Sequence, residues 1–394
     1  MSSAPAPVRT PWPRVVAIGI GLSLAVGVIL LAFSWPSLTA SPKSLPVGVV
    51  GQDASVAQVE KAVAEKADGA IDMVRYDDRD AAVTAIERRE AYGAIVLGDA
   101  PTHAPEVLKA TAASAQVAGV LDGLARQLQS QIDAQIRAQV EQGVRKMQEG
   151  MPAAITAAVQ AALSGQQATP PAASAPFEIP AVAVAVTDLA PYADSDSQGV
   201  GLTVSMFPLV IGGMVGGVLL STVVVGAWRR VVGVVVYAAV TGVVLTGVLQ
   251  SWLGALQADF WVDAAAVALA IAAIATTITA LSALLGRVGV GLGAVAMILF
   301  ANPLSAATVP VEFLLEPWGT IGQWMPPGAA GTLLRTLSYF PEADVSRQWL
   351  LLGCWALVGL VLTLLDPAGR RAARAARPEV PEGAGEPTVG VATV

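Results

Sequence analysis

The sequence has very few of the side chains that usually build catalytic or metal sites. Its 394 residues include one cysteine, Cys354, and one histidine, His103. A single cysteine excludes a disulfide within the chain, and a single histidine excludes a histidine cluster that would hold a metal. His103 lies between Pro101 and Pro105, and we interpret it as a surface-loop residue. We therefore expect no enzyme activity, no cofactor and no metal site.

Lysine is nearly as scarce, and its positions exclude one nucleotide-binding motif. The phosphate-binding loop G-x-x-x-x-G-K requires a lysine directly after a glycine. No lysine of this chain follows a glycine, since they are Lys43, Lys61, Lys66, Lys109 and Lys146. The chain therefore cannot hydrolyse ATP through such a loop, and any ATPase would have to be a separate chain.

Close carboxylates occur at two places. They are Asp77, Asp78 and Asp80, and separately Asp194 and Asp196. Calcium loops need more oxygen ligands in a fixed register around a central glycine. We interpret both groups as solvated turns and helix caps.

Charged residues make up only 13% of the chain, whereas 54% is hydrophobic and the mean hydropathy is +0.62. Soluble domains carry about 25% charged residues, so the composition predicts a polytopic membrane protein. The net charge of −7 comes from residues 36–200, which hold 20 acidic and 12 basic side chains. An acidic domain of this kind argues against nucleic acid as a partner.

The first apolar run, from Val15 to Phe33, predicts a membrane helix over residues 15–34. It follows a Pro- and Ser-rich stretch, residues 1–14, which we place in the cytoplasm. The alternative is a cleaved signal peptide with Ala32-Phe33-Ser34 as its cleavage site. A run of about 19 residues exceeds the roughly 7–15 of a signal-peptide core, which favours an uncleaved helix.

Residues 35–201 have the composition of a separate α/β domain. Short apolar strands alternate there with helices of about ten residues, which predicts a β-α-β-α-β order. A further apolar stretch, Ala181 to Val186, predicts another strand of the same sheet. The other predicted strands are Val47–Val50, Ile71–Val74 and Tyr92–Leu97, and the helices are Ser55–Ala67 and Asp80–Glu90.

One long amphipathic helix is predicted inside this domain, from Ala104 to Glu149. Apolar residues recur there at every third or fourth position, and Gly150 and Pro152 predict its end. At 1.5 Å per residue it would be about 65 Å long. Either the helix folds back on its own domain or it forms a stalk that pairs with a second copy. Its apolar stripe includes Leu121, Leu124, Leu128, Ile132 and Ile136.

An uncharged stretch, Thr203 to Trp228, begins the membrane part of the chain, residues 202–308. Its length of about 25 residues is enough to cross a bilayer core. Two overlapping G-x-x-x-G patterns lie on it, and this spacing lets a neighbouring helix approach closely. We expect these glycines to pack against a helix of a second copy or of the same bundle. They are Gly212, Gly213, Gly216 and Gly217.

Four further apolar runs complete a prediction of six membrane helices. None of the runs contains an ionisable side chain, which argues against proton- or ion-coupled transport. The fold class is therefore a polytopic α-helical membrane protein with the α/β domain between its first and second membrane helices. The runs are Val231–Leu253, Ala264–Leu285, Val288–Ala307 and Trp349–Leu365, the last within a sixth helix at residues 348–366.

Arginine positions predict the orientation of the chain, because cytoplasmic loops carry an excess of basic residues. With the N-terminus inside, only Arg335 and Arg347 fall in the short outer loops. We therefore expect a multi-pass protein of the cell membrane with both termini in the cytoplasm, a disordered tail at residues 367–394 and the α/β domain outside. The cytoplasmic arginines are Arg9, Arg14, Arg229, Arg230, Arg287, Arg370, Arg371, Arg374 and Arg377.

Residues 309–347, which we call the outer segment, are too polar to span a membrane and too apolar for a free loop. We expect short helices at the outer surface that dip into the bundle, where protein shields their backbone. They form either an interfacial helix pair or part of an exit path. The candidate residues near that path are Asn302, Pro303, Trp324, Pro326, Pro327, Gly328 and Arg335.

Four short motifs lie beside the predicted elements. They are LPVGVVGQD at residues 45–53, YGAIVL at 92–97, DLAP at 188–191 with Asp196 and Gly199, and WMPPGA at 324–329 leading to Arg335 and Tyr339-Phe340. With the order of helices and domain, these motifs resemble the membrane subunit of type-2 ABC exporters, and more narrowly the phage-infection-protein (Pip-like) branch. The likeness covers roughly residues 15–365. It implies export across the cytoplasmic membrane, usually by a dimer with ATPase partners.

Two features depart from that family. Its permeases usually have an amphipathic cytoplasmic helix before the first span and a coupling element between the second and third. Here prolines break the N-terminus, and the inner loop is little more than Arg229-Arg230. We expect a permease-like subunit that exports a hydrophobic or amphiphilic substrate, as a homodimer in the lipid bilayer with a separate ATPase subunit. The alternative is a non-transporting membrane scaffold, a secretion accessory factor or a phage-receptor-like surface protein.

Overall fold

The described part of the chain begins with a long helix that leads into the α/β domain. The computed structural model describes residues 11–67, 69–98, 104–163, 182–307 and 309–366. Helix α1, Trp12–Thr39, has 28 residues and covers the predicted first membrane helix. Its described apolar stretch, Val26–Pro36, is shorter than a bilayer core requires, so a crossing by α1 stays a prediction.

The α/β domain contains a five-stranded mixed sheet in the order β2-β1-β3-β4-β5. Strand β1 is parallel to β2 and β3, β4 is antiparallel to β3, and β5 is parallel to β4. The strands are β1 Leu45–Val50, β2 Ile71–Arg75, β3 Gly93–Val96, β4 Glu106–Lys109 and β5 Ala185–Asp188, and the helices are α2 Asp53–Ala67, α3 Arg79–Glu87 and α4 Ala115–Leu163.

Helices cover both faces of this sheet, which is why its central strands read as continuous apolar runs. On one face, Leu45 and Val47 of β1 pack with Leu121 of α4. On the other face, Val50 of β1 packs with Ile86 of α3. The two faces of β1 therefore contribute to two separate cores. The elements β1, α2, β2, α3 and β3 follow the predicted β-α-β-α-β order at the predicted positions.

The long helix differs from its prediction at both ends. The predicted first turns contain β4 instead, because Val107 and Leu108 are fully buried on opposite faces of the sheet and β4 pairs with β3. The helix begins at Ala115 and continues through Pro152 to Leu163. Proline removes one backbone donor, and the helix passes through it on an exposed stretch, where Thr156 Oγ1 bonds the Pro152 carbonyl at 2.8 Å.

Helix α4 has two parts with different surroundings. Its first part packs on the sheet, and Gln129 holds the β5 side of the domain by bonds to the Val182 carbonyl at 3.0 Å and the Val184 amide at 2.7 Å. Its second part carries an exposed apolar stripe, which we call the stalk stripe. The first part therefore folds back on its own domain, whereas pairing of the second part with a second copy stays a prediction. The stalk stripe is Val144, Met147, Met151, Ile155, Val159 and Leu163.

The remaining helices form one bundle around α7. Fifteen residues of α7 are buried, many of them alanines, and α5, α6, α8, α10 and α11 all contact it. Small side chains let the surrounding helices approach closely. A hydrogen bond of 2.9 Å between Thr279 and Thr363 joins α7 to α11. The helices are α5 Val200–Val223, α6 Ala227–Thr246, α7 Phe260–Leu285, α8 Arg287–Val295, α9 Trp318–Gln323, α10 Pro326–Tyr339 and α11 Ser346–Leu365.

Four helices in the described part of the chain are long and apolar enough to cross a membrane. They are α5, α6 with its π-helical continuation to Trp252, α7 and α11. The chain is therefore a mostly helical protein with a small mixed sheet and four candidate spans. The predicted six-span topology is confirmed only to this extent.

The predicted fifth membrane helix is shorter than expected. Helix α8 continues as a π-helix only to Ala301, so the whole rod, residues 287–301, is about 22 Å long at 1.5 Å per residue. A bilayer core is about 30 Å thick. Asn302 then ends the rod, and Pro303 starts a short 3₁₀ turn. The apolar sequence up to Ala307 is thus divided between a helix shorter than the bilayer core and a turn.

Candidate binding site between the α/β domain and the bundle

The glycines of the two G-x-x-x-G patterns of α5 pack against neighbouring helices of the same bundle. Gly213 and Gly217 face α7, where an added Cβ would lie 2.9 Å from Ile274 Cβ and from the Ala275 carbonyl, respectively. Gly216 lies against the Tyr237 ring of α6, and the Tyr237 hydroxyl donates to the Gly212 carbonyl at 2.7 Å. Of the two arrangements left open by the sequence, the structure has the packing within one chain. This ridge is not free for a second copy.

The outer segment dips into the bundle. The α10 residues Ala329, Ala330, Leu333 and Leu334 are at most 1% exposed and belong to the bundle core. Pro326 and Pro327 begin α10, as expected where no backbone donor is needed. Gly322 and Gly328 permit close backbone contacts, Gly322 with the Leu304 carbonyl and Gly328 with the Gly322 carbonyl. The predicted candidates at the start of α10 therefore position this helix.

The other end of α10 enters the core of the α/β domain. Phe340 follows α10 directly and is 2% exposed, in a cluster with Ala82 and Ile86 of α3. Tyr339 meets Tyr192 edge to face, with the ring centroids 6.0 Å apart. One helix thus joins the apolar cores of the bundle and the domain.

Polar side chains complete this joint. Arg89, just after α3, donates to Thr336 Oγ1 of α10 at 2.6 Å, and its guanidinium carbon lies 5.3 Å from the Phe340 ring centroid. Tyr92 donates to the Glu312 carboxylate at 2.7 Å. Burial and the Glu312 charge raise the pKa of Tyr92, while burial lowers the pKa of Arg89. Both contacts link residues more than two hundred positions apart in sequence.

A cavity of 380 Å³ lies in this joint. The domain contributes Arg88 and Arg89 to its lining, the outer segment contributes Glu312 and Thr336, and α11 contributes Gln348. The side-chain oxygen of Gln348 is buried and has no hydrogen-bond partner among the described residues. The mixed polar lining is suited to a small polar or charged group. Arg347 and Leu351 of α11 complete this wall.

Arg335 lies behind this cavity, on α10. Its guanidinium donates to the Ala307 carbonyl at 3.0 Å and lines a second, smaller cavity of 170 Å³ with Tyr192 and Thr203. Burial lowers the pKa of Arg335. Of the residues predicted near an exit path, Arg335 lies at the joint. The Arg347 guanidinium lies over the ring of Trp324, a second predicted residue, with 5.1 Å between the guanidinium carbon and the ring centroid. Asn302 and Pro303 form the turn beneath α9.

Sequence reasoning missed Arg89, Tyr92 and Glu312. Tyr92 and Glu312 each lie in a segment that was recognised, but no pattern in the sequence brings them together. The only local signal was the pair Arg88-Arg89 in a domain that is otherwise acidic.

The α/β domain also carries an apolar groove of 810 Å³ between α2 and α4. Its floor includes Val47, Ile71 and Met73 of the sheet. The polar residues among its described lining, such as Gln58 and Gln127, are uncharged. This groove has the size and apolar character of a small-molecule pocket.

One prediction about the membrane helices was wrong. Helix α7 begins at Phe260 rather than near Ala264, so it includes the ionisable residue Asp263. This residue is fully buried at the start of α7, where its carboxylate lies beside the Ala258 backbone and near the charge of Asp259. The preceding Asp259 caps the helix by accepting from the Trp261 amide at 2.9 Å, which allows the helix to start early.

Two of the close carboxylates, Asp78 and Asp196, act as helix caps. Asp78 accepts from the Ala81 amide at the start of α3, and Asp196 accepts from the Val200 and Gly201 amides at the start of α5. In the described ranges, no group of three or more His, Cys, Asp or Glu residues could hold a metal ion. His103 lies outside the described residues.

No family model, no curated protein and no solved structure matches this chain.

Proposed function

We propose that the chain is a permease-like subunit that exports a hydrophobic or amphiphilic substrate across the cytoplasmic membrane. The observation that supports this most directly is the polar cavity at the end of an apolar bundle, walled jointly by the α/β domain and by α10 and α11. An amphiphile needs a site of this kind, where its polar part leaves the bundle while its apolar part stays beside membrane helices.

The position of the cavity fits this proposal. Exposed tryptophans lie at the same end of the bundle: Trp252 at the end of α6, Trp261 at the start of α7 and Trp324 before α10. Tryptophan is enriched where membrane meets water. The cavity therefore lies at the expected headgroup level, and the apolar groove of the domain offers a second surface for an apolar substrate.

The proposal includes a separate ATPase, because type-2 ABC exporters, which the chain resembles, work with one. The contact for that ATPase would be small. The connection from α5 to α6 is only three residues, 224–226, and Arg230 closes it by donating to the Ser221 and Val224 carbonyls at 3.4 and 3.3 Å. The turn at Gly286, where φ is 65°, is the other described connection at this end.

The homodimer also belongs to the proposal, with a changed interface. Since the glycine ridge of α5 is occupied by α6 and α7, the contact between copies is assigned to the stalk stripe. Its residues recur at steps of three and four, which places them on one face of the projecting helix. A second copy presenting the same face would bury both stripes.

A non-transporting scaffold is the second candidate function. The same exposed stalk stripe favours it, because a long helix with a free apolar face is also a docking surface for another protein. The short α5–α6 connection favours it as well, since it leaves little surface for an ATPase.

Co-purification separates the two functions. The full chain would be isolated from its native membrane in mild detergent, and the eluate would be tested for a nucleotide-hydrolysing chain and for ATP hydrolysis. Export predicts an ATPase whose activity rises when amphiphiles are added. A preparation that reproducibly contains the chain and other proteins, but no ATPase, would favour the scaffold.

A further inference from the structure

The joint between the domain and the bundle contains guanidinium groups without an anionic partner. Arg89 bonds a threonine hydroxyl and lies over a phenyl ring, and Arg335 bonds a backbone carbonyl. Neither is within ion-pair distance of a described carboxylate, whereas Arg75, Arg79 and Lys109 elsewhere in the domain are. Charged groups that lose solvent are usually paired, so these two sites have room for a ligand anion.

The carboxylates near the cavity offset only part of its positive charge, and Glu312 acts on Arg89 from beyond ion-pair distance. Glu312 accepts the Tyr92 hydroxyl, and Asp344 accepts the amide and hydroxyl of Ser346 at 2.9 and 3.0 Å. Against these two acids stand three arginines in the lining, Arg88, Arg89 and Arg347, with Arg335 behind them. Arg88 and Arg89 belong to a domain whose net charge is negative, with 20 acidic and 12 basic side chains over residues 36–200, and Arg335 and Arg347 come from α10 and α11.

We infer that this cavity binds the anionic headgroup of an amphiphile, and that the exported substrate carries such a group. Binding of the headgroup follows from the cavity alone, whereas the identity of the bound amphiphile as the exported substrate rests on the proposed function. An arginine fork binds phosphate, sulfate or carboxylate oxygens in two parallel hydrogen bonds. Arg89 supplies the fork from the domain, and Arg347 supplies a second one from the first turn of α11.

The rest of the lining distinguishes a lipid headgroup from a bare anion. The unpartnered oxygen of Gln348 can accept a hydroxyl group such as a polyol headgroup offers. Leu351, one turn further along α11, lines the cavity, and its neighbour Leu350 is 68% exposed on the bundle surface. An acyl chain can therefore leave the cavity along α11 while the charged head stays between the arginines. The volume of 380 Å³ exceeds what a single phosphate needs.

The test measures lipid binding by the purified full chain, by native mass spectrometry in detergent. The probes are phosphatidylglycerol, zwitterionic phosphatidylcholine of the same acyl chains, and inorganic phosphate. We expect phosphatidylglycerol to bind at least tenfold more tightly than phosphatidylcholine. Both lipids carry the phosphate, but the choline group brings a positive charge beside the arginines and lacks the hydroxyl that Gln348 can accept. Millimolar inorganic phosphate should compete weakly. Equal binding of both lipids, or binding of phosphate with no gain from acyl chains, would overturn the inference.

The variants Arg89→Gln and Arg347→Gln should each reduce the preference for phosphatidylglycerol about tenfold. The matched control is Arg126→Gln, which removes one charge from an exposed position of α4 and should change nothing. Arg347 is exposed, so its variant stays informative even if Arg89→Gln does not fold. Unchanged selectivity in a folded Arg347→Gln protein would contradict the assignment. The binding assay needs no ATPase, so the two proposals can fail separately. Selective lipid binding by a chain with no ATPase partner would reject the proposed export but keep the headgroup site. An ATPase partner without selective lipid binding would reject the headgroup site but keep the proposed export.

Discussion

The hydroxyl of Tyr92 in the α/β domain donates a 2.7 Å hydrogen bond to the carboxylate of Glu312 in the outer segment. The tyrosine is largely buried, and its partner comes from a part of the chain 220 positions away. This bond and the Arg89–Thr336 bond hold the domain against the bundle with polar contacts, next to the apolar contact of Phe340.

Tyr92→Phe should destabilise the protein by about 1–3 kcal/mol, because it leaves a carboxylate in the joint without its donor. Thermal unfolding followed by fluorescence would measure this. Tyr76→Phe is the matched control, since Tyr76 is also partly buried in the same domain and makes no side-chain hydrogen bond that the structure records. An equal loss for both variants would show that ring packing, rather than the bond to Glu312, carries the effect.

The same bond predicts a dependence on alkaline pH. The pKa of Tyr92 is raised in the folded chain, mainly by burial and then by the Glu312 charge. A group whose folded pKa is raised stabilises fully below its unfolded pKa, here about 10, and loses that contribution above it. The free energy of unfolding should therefore fall as pH rises above about 10, and less steeply in Tyr92→Phe. Parallel pH profiles would contradict this prediction.

Gly217→Leu should lower the yield of folded protein without changing its oligomeric state. A side chain there would collide with the Ala275 carbonyl and Ile278 of α7, and overpacking costs about 1–3 kcal/mol or more. Gly353→Leu in α11 is the control, because nothing lies within 4 Å of a Cβ at that position. Size-exclusion chromatography in detergent would give yield and state together. A well-folded Gly217→Leu protein with altered stoichiometry would show instead that the glycines of α5 form the contact between two copies.

The stalk variant Met147→Asp with Ile155→Asp should convert a homodimer into a folded monomer. Each apolar side chain buried between copies is worth roughly 1.5–3 kcal/mol, and a carboxylate at the same place must be desolvated. Gln142→Asp with Ala157→Asp adds the same charge away from the stripe and should stay dimeric. Native mass spectrometry would count the copies. A wild-type protein that is monomeric at every workable concentration would exclude the dimer.

Single cysteines would test the orientation of the chain in the membrane. In a Cys354→Ala background, cysteines at Ser130 and Gln257 should react with an impermeant thiol reagent added to intact cells, because both positions are exposed and on the domain side. A cysteine at Ala372 should not react, since the arginine distribution predicts a C-terminus on the cytoplasmic side. Labelling at Ala372 from outside would reverse the predicted topology.

Asp263→Asn should raise the unfolding temperature. The native carboxylate is fully buried near the like charge of Asp259 and forms no ion pair with a described residue, and burying a charge in that way is costly. Asp259→Ala is expected to act in the opposite direction, with a loss of about 1 kcal/mol, because it removes the N-cap of α7. A destabilised Asp263→Asn protein would indicate that this carboxyl group has a bound partner in the membrane.

How far the sequence could predict the fold depended on where packing competed with local pattern. The strands β1, β2 and β3 were predicted because short apolar runs of four to six residues, interrupted only by Asp72 in β2, fit a strand covered on both faces. Strand β4 was missed because its apolar pair, Val107 and Leu108, also fits a helical spacing, and only pairing with β3 decides between the two. Pro152 failed as a stop signal because α4 is solvent-exposed there.

The candidate site was predicted only in part, for a related reason. The outer segment stood out through its intermediate polarity, and Arg335 through being one of two arginines on the outer side. The cavity itself arises from the approach of Arg89, Glu312 and Gln348, which belong to three separate elements. Contacts over such sequence distances leave no local pattern, so they could be found only from the folded chain.

Helix α10 is a rod of 14 residues that lies in the bundle core from Ala329 to Leu334, and Phe340, directly after its C-terminal end, lies in the core of the α/β domain. Such a rod, about 21 Å long, does not shorten or bend easily. A tilt of the domain on the membrane would therefore act on α10 as on a lever, and would press its inner end against α7 and α5. A partner that binds the second part of α4 and tilts the α/β domain would therefore transmit that movement through α10 to the core of the bundle.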